Sequence, residues 1–406
     1  MTGGSGDVSP GVSARVVLFT GKGGVGKTTL SAATAVAAAD RGLRTLVMST
    51  DPAHSLADVF GLAIPAGRPV AVAENLEVSH LDSRALLERS WHSVQEYLLS
   101  VLSSAGLDSV AAEELTVLPG AEEVLALLEV REQVRSNRYD LVALDCAPTA
   151  ETLRLLALPE ALDWFMSRIW PVERRVVTAL RVPLSRAAGV PMPNTSVMDA
   201  IERLHADLAD VRKVLTSPGS SVRLVFTPDA VVLAEARRTL TSLSLYGYRV
   251  DAAIANRVFP PGGDEWRNGW ARAQAARLQQ AEVDMAPLPV LVGSYLVGEP
   301  VGLEALRNLA EAIYPGGDPL GLPSVESPMS LERLGQQVVL VLRLPLATRG
   351  DVDIAERGNE VIVTVGSYRR VIALPGALHR YRVVGAGLSR GVLRVRFLPR
   401  DGGGGK

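Results

Sequence analysis

The chain has 406 residues, 47% of them apolar and 21% charged, with a formal net charge of −2. These proportions exclude a disordered chain and fit one large soluble domain with an appendage, or two domains; without a basic excess, the charge does not recruit nucleic-acid backbones or anionic lipid. A single cysteine, Cys146, excludes an intrachain disulfide, a CxxC pair and a cysteine-built zinc or iron–sulfur site within one chain.

The opening stretch MTGGSGDVSPGVSA lacks the basic start and apolar core of a signal peptide, and no apolar run reaches the roughly 18 residues of a membrane span. The expectation is a cytoplasmic protein with no integral membrane segment. From there ARVVLFT (14–20) reads as a buried strand ending in a Gly-rich loop, TTLSAATAVAAADRG (28–42) as a strong helix former stopped by Gly42, and TLVMSTD (45–51) as a second strand. Further runs of this kind are YDLVALD (139–145), VRLVFTP (222–228), VDAAIANRV (250–258) and LPVLVG (288–293). Strands that are apolar throughout and separated by helices predict a doubly wound, mostly parallel α/β sheet.

Two intervals, about 83–137 and 159–217, carry apolar residues at helical spacing and no strand signal. They predict a helical layer, either as cover for the sheet or as a groove for an apolar helix. The groove is suggested by Trp164, Phe165, Met166, Ile169 and Trp170 on one short segment. A Pro/Gly-rich linker is expected at 316–334, within YPGGDPLGLPSVESPMS, after a main domain of 14–315. Beyond it the apolar period changes to two, which predicts a small all-β sandwich over 335–399.

The chemistry concentrates in GKGGVGKT (21–28), which fits the phosphate-loop pattern GxxxxGK[ST] and lies between a strand and a helix. Backbone N–H groups of Gly21, Gly23, Gly24, Val25 and Gly26, with Lys27, Thr28 and Thr29, form the expected nucleotide-binding set. Lys27 would contact the β and γ phosphates of ATP, and the Thr28 hydroxyl would bind Mg²⁺. A second lysine, Lys22, either is a solvated surface residue or reaches the phosphates of a facing subunit, which implies a homodimer with ATP at its interface. Asp145 ends an apolar strand where a carboxylate holds Mg²⁺ through water, and Asp51 ends another where it could orient a water for in-line attack; either could instead cap a helix.

Taken together, GKGGVGKTT, STDPAHSL, DCAPTAETLRLL and ANRVFP resemble the deviant Walker A, switch I, switch II and adenine-side motifs of the ArsA family. That family comprises the arsenite-pump ATPases and the ATPases that target tail-anchored membrane proteins. The resemblance spans about 14–315 and implies a P-loop ATPase with Lys22 as the intermonomer lysine, Lys27 and Thr28 on phosphate and Mg²⁺, Asp51 catalytic in switch I, Asp145 in switch II and Asn256 reading adenine. RLPL, RRVIALP and GVLRVRF within 335–399 resemble the small-heat-shock-protein-like domain appended to some bacterial members.

Switch II departs from the family's pattern at Cys146, Ala150 and Glu151. One thiol cannot supply the three-sulfur site of the metalloid-binding members, so metalloid stimulation is not expected. The reading is therefore an ATP-driven dimeric switch acting on an apolar protein client. Its rivals are a partition-like ATPase that binds DNA or a scaffold protein in its ATP state, which the missing basic patch argues against, and a chaperone-like factor acting through the β-domain.

Overall fold

The computed structural model describes residues 14–50, 55–80, 121–146, 195–322 and 325–400. Eight strands, β1 (Arg15–Thr20), β2 (Thr45–Ser49), β3 (Val70–Ala73), β4 (Leu76–His80), β5 (Leu141–Asp145), β6 (Ser220–Phe226), β7 (Val250–Val258) and β8 (Val290–Ser294), form one sheet in the order β3-β4-β2-β5-β1-β6-β7-β8. Every neighbouring pair is parallel except β3 with β4. The apolar runs are continuous because both faces are covered. Val16 and Leu18 pack on one side with Met48 and Leu144, while Val17 and Phe19 pack on the other with Val47 and Ala143.

Among the described residues the helices are α1 (Lys27–Asp40), α2 (Ser55–Phe60), α3 (Ala121–Arg135), α4 (Thr195–Leu215), α5 (Ala230–Tyr246), α6 (Glu265–Met285) and α7 (Leu303–Ile313). α1 and α7 cover the Val17 face, and α3 to α6 the Val16 face. α1 is rich in alanine because almost its whole length, from Leu30 to Ala39, is buried, and small side chains let the sheet and α7 approach it closely. Among the described residues no helix is long and apolar enough to cross a membrane.

Each strand expected from an apolar run has a counterpart. β3 and β4 were not expected, because LEVSH alternates apolar with polar and VAVA is short; β3 is the sheet edge, while β4 lies inside it and buries Leu76 and Val78. The two helical intervals contain α3 and α4, joined by Arg131 with Asp207 and by Arg135 with Asp210 at 2.8 Å. Residues 83–120 and 159–194, with the Trp164–Trp170 cluster, lie outside the described residues.

Seven antiparallel strands follow. β9 (Met329–Leu334), β10 (Gln337–Arg343), β14 (Tyr381–Ser389) and β15 (Val392–Pro399) form a sheet in the order β14-β15-β10-β9, and β11 (Val352–Arg357), β12 (Glu360–Val365) and β13 (Tyr368–Ala373) form a second. Leu340, Leu342, Val361, Val363, Val395 and Phe397 fill the space between them. One correction concerns the linker: residues 329–334, assigned to it by composition, form strand β9. MSLERL is mostly exposed at a sheet edge, so it shows no apolar alternation.

The two parts are joined through the carboxyl-terminal half of α5. Leu245, fully buried, sits in the core of the β-domain; the Thr241 hydroxyl donates to the Pro345 carbonyl, and the Arg370 guanidinium donates to the Leu245 carbonyl at the helix end. A second anchor lies in the large sheet. Arg223, with no exposed surface, pairs with Asp251 at 3.3 Å, donates to the Tyr314 hydroxyl at 3.0 Å and grips the Pro319 carbonyl just past α7.

Leu245→Ala should lower the unfolding free energy of the full chain by about 2–5 kcal/mol, the range for truncating a buried leucine. Urea unfolding followed by circular dichroism measures it, and an unchanged midpoint contradicts the docked joint.

Candidate functional site

β1 runs through the middle of the sheet and delivers the chain into the loop 21–26 at its carboxyl edge, where α1 begins. Two glycines there are dictated by close approach. At Gly21, with φ 154°, a Cβ would lie 2.0 Å from the Val225 carbonyl oxygen, and at Gly26, with φ 95°, it would lie 2.5 Å from Asn256 Nδ2. Added at Gly23 or Gly24, a Cβ would meet no atom within 4 Å. The loop is thus packed against protein on one side and open on the other, a cradle for a ligand the size of a phosphate chain. Asn256, near the end of β7, braces it by donating from Nδ2 to the Val25 carbonyl at 2.8 Å.

The two lysines go to different places. Lys27 is buried at the start of α1, and its ammonium donates to the Lys22 carbonyl at 3.3 Å across the loop. Lys22 stands at the rim with its side chain 43% exposed and its Nζ 4.0 Å from the carboxylate of Glu235 on α5. Thr28 and Thr29, in the first turn of α1, are half-buried.

Asp145 ends β5, and the sheet register sets it beside Phe19 of β1 and Ser49 of β2. Its Oδ2 accepts from the Thr28 hydroxyl at 2.7 Å and from the Ser49 hydroxyl at 3.0 Å, and Thr28 Oγ1 is also 3.4 Å from the Ser55 hydroxyl. A carboxylate and three hydroxyls at the foot of a phosphate loop form an all-oxygen donor set. That set suits Mg²⁺, which takes few protein ligands and completes its shell with water and phosphate. The residues present therefore fit a magnesium nucleotide.

Cys146 follows directly. It is 4% exposed, and burial, reinforced by the neighbouring Asp145 carboxylate, pushes its thiol far above the ordinary range. It behaves as a small buried apolar group.

Of the residues expected from sequence, the loop Gly21–Gly26, Lys22, Lys27, Thr28, Thr29, Asp145 and Asn256 come together here. Asp51, Ala150 and Glu151 lie outside the described residues. Sequence reasoning missed Ser49, Ser55 and Glu235. The first two lie within STDPAHSL, on either side of Asp51, and could have been suspected from it, whereas Glu235 lies on a distant helix with no local signal.

The model of the family described as anion-transporting ATPase matches residues 14–315, and that of an HSP20-like domain found in ArsA matches 335–397. A protein of Chlorobaculum tepidum named "Putative arsenical pump-driving ATPase" is 37% identical over 369 residues, covering 90% of this chain and 91% of its own. An uncharacterized protein of Streptomyces coelicolor is 37% identical over 390 residues, 95% of this chain and 97% of its own. The ATPase GET3B of Arabidopsis thaliana is 26% identical over 328 residues, 75% of this chain and 80% of its own.

Gly21→Ala should displace the loop, because backbone cannot yield to a contact of 2.0 Å, and weaken binding of a fluorescent ATP analogue at least about tenfold. An unchanged dissociation constant contradicts the close-packed cradle.

Proposed function

The chain belongs to the anion-transporting ATPase family and is an ATPase, and from that premise we propose that it works as a Mg²⁺-dependent dimeric switch coupling ATP hydrolysis to binding and release of an apolar protein segment. The observation that carries the reading is the division between the lysines. Lys27 is enclosed by its own loop, whereas Lys22 is held outside it, 43% exposed. A cation outside its own cradle supports the reading that it acts on the phosphates of a second copy, the part the family resemblance gives it.

In this mechanism the loop amides and Lys27 hold the phosphates, and Asn256 reads the adenine while keeping the loop in place through Val25. Thr28 and Asp145 would hold Mg²⁺, which would offset the phosphate charge. Asp51 orients the attacking water, and Lys22 leaves Glu235 to stabilise charge on the phosphoryl group bound by the partner subunit. Once the γ-phosphate contacts are gone, the switch loops relax and the dimer opens. The apolar client is assigned to the helical layer from the Trp164–Trp170 stretch of the sequence. The two domains, 14–315 and 335–399, would move together, since α5 carries both Glu235 near the loop and Leu245 in the β-domain.

Metalloid does not enter the cycle, because the one thiol, Cys146, is buried and its proton is held tightly. Arsenite should therefore leave ATP turnover unchanged within error, measured as released phosphate; a stimulation of several-fold would reverse that exclusion.

Lys27→Ala should abolish nucleotide binding, while Asp51→Asn and Lys22→Ala should keep binding and lose at least about a hundredfold in turnover. Parent-like turnover in either of the last two contradicts its role. Proteins co-purifying with Asp51→Asn held in ATP, compared with Lys27→Ala, test the client: enrichment of proteins with an apolar terminal helix supports it, and recovery of DNA or scaffold proteins favours a partition-like ATPase.

A further inference from the structure

Beside the phosphate loop the described residues expose a cluster of aromatic rings, of which only Phe259 belongs to the ANRVFP stretch. Phe259 follows β7, Trp266 and Trp270 occupy the first turns of α6 four residues apart on one face, and Tyr295 follows β8. The Phe259 and Tyr295 rings stack with centroids 4.6 Å apart and planes at 8°; Trp266 meets Phe259 edge-on at 6.0 Å, and Trp270 lies 6.0 Å from Phe259 on another side. The rings hold one another in place, yet they are not buried. Trp266 is 67% exposed, Trp270 43% and Tyr295 49%. A patch of this kind on a folded chain marks a contact surface.

The cluster is continuous with the nucleotide site. One cavity of about 290 Å³ is lined on one side by Lys22, Gly23 and Gly24 and on the other by Phe259, Trp270 and Tyr295. A subunit that receives Lys22 at its phosphates therefore also meets this surface. The charged rim points to the same partner. It carries both signs close together: Glu265 pairs with Arg272 at 2.6 Å, and Asp264 caps the helix by accepting from the Arg267 amide at 2.8 Å. A rim of one sign would repel its own copy, whereas a rim of both signs matches itself after a two-fold rotation, as an isologous interface requires. The same mixed rim gives no advantage to an acidic or a basic partner.

We propose that Phe259, Trp266, Trp270 and Tyr295 form an apolar staple between two copies of this chain, lying next to the crossing lysines and supplying much of the affinity of the nucleotide-bound dimer. The proposal rests on the dimeric switch described above. Lys22 then provides charge for the reaction, and the rings provide the adhesion that a charged, hydrated loop cannot.

The test is sedimentation equilibrium of the full chain with Mg²⁺ and adenylyl imidodiphosphate, comparing the parent with Trp266→Ala/Trp270→Ala and Trp266→Phe/Trp270→Phe. The alanine pair should weaken the dimer at least about thirtyfold, the phenylalanine pair by less than about threefold. Nucleotide affinity, titrated at protein concentrations where the parent is monomeric, should stay the same in all three. If the alanine pair folds poorly, Trp266→Arg alone, at a ring two-thirds exposed, sets like charges across the two-fold axis and should weaken the dimer comparably. An alanine pair that dimerises as tightly as the parent overturns the staple and leaves the switch standing. Loss of monomer nucleotide affinity with an unchanged dimer assigns the rings to the nucleotide base instead and also overturns it. A parent chain that stays monomeric with nucleotide overturns both the switch and the staple.

Discussion

The Asp145 carboxylate, 1% exposed, is the point on which the site depends. A buried carboxylate must be met by donors or it destabilises the fold, and here the Thr28 and Ser49 hydroxyls supply them. These contacts tie the end of β5 to the first turn of α1 and to the end of β2. The same side chains that satisfy Asp145 thus fix the floor of the phosphate loop. Its wall is fixed by exclusion, since at Gly21 the Val225 carbonyl leaves no room for a side chain. Between floor and wall the loop has little freedom, and Lys27 inherits its position from both.

From this fixed site α5 leads outward. Near its beginning Glu235 faces Lys22, and at its end Leu245 is buried in the β-domain while Arg370 meets the helix carbonyl. A helix is stiff over this distance, so whatever moves the Glu235 end is felt at the β-domain joint. The Arg223 clamp on Asp251, Tyr314 and the Pro319 carbonyl ties the exit of α7 to the sheet core, and Tyr314 in turn meets the Thr34 hydroxyl of α1 at 2.5 Å. The β-domain is therefore attached to the ATPase part through buried contacts as well as through the chain.

Much of this was legible because its signals are local. The phosphate loop is one contiguous stretch, Asp145 closes an apolar run, and the middle of the parallel sheet announces itself in strands that are apolar throughout. What was hidden arises from residues far apart in the chain. Arg223 sits inside the run VRLVF, where a sequence reading gives no hint that Asp251 and Tyr314 converge to bury it. Likewise the aromatic cluster is assembled from positions 259, 266, 270 and 295, which share a face only once β7, α6 and β8 are in place. β9 is hidden in the sequence because an exposed edge strand has no apolar period to read.

The central claim is that Lys22 acts in the other subunit, and mixing tests it most directly. Equal amounts of Lys22→Ala and Asp51→Asn proteins, each inactive alone, should recover about a quarter of the parent's ATP turnover, because half the dimers are mixed and each mixed dimer holds one complete site. Turnover that stays at the level of the separate variants, in mixtures shown by labelled subunits to contain mixed dimers, would place Lys22 in its own site and contradict the account.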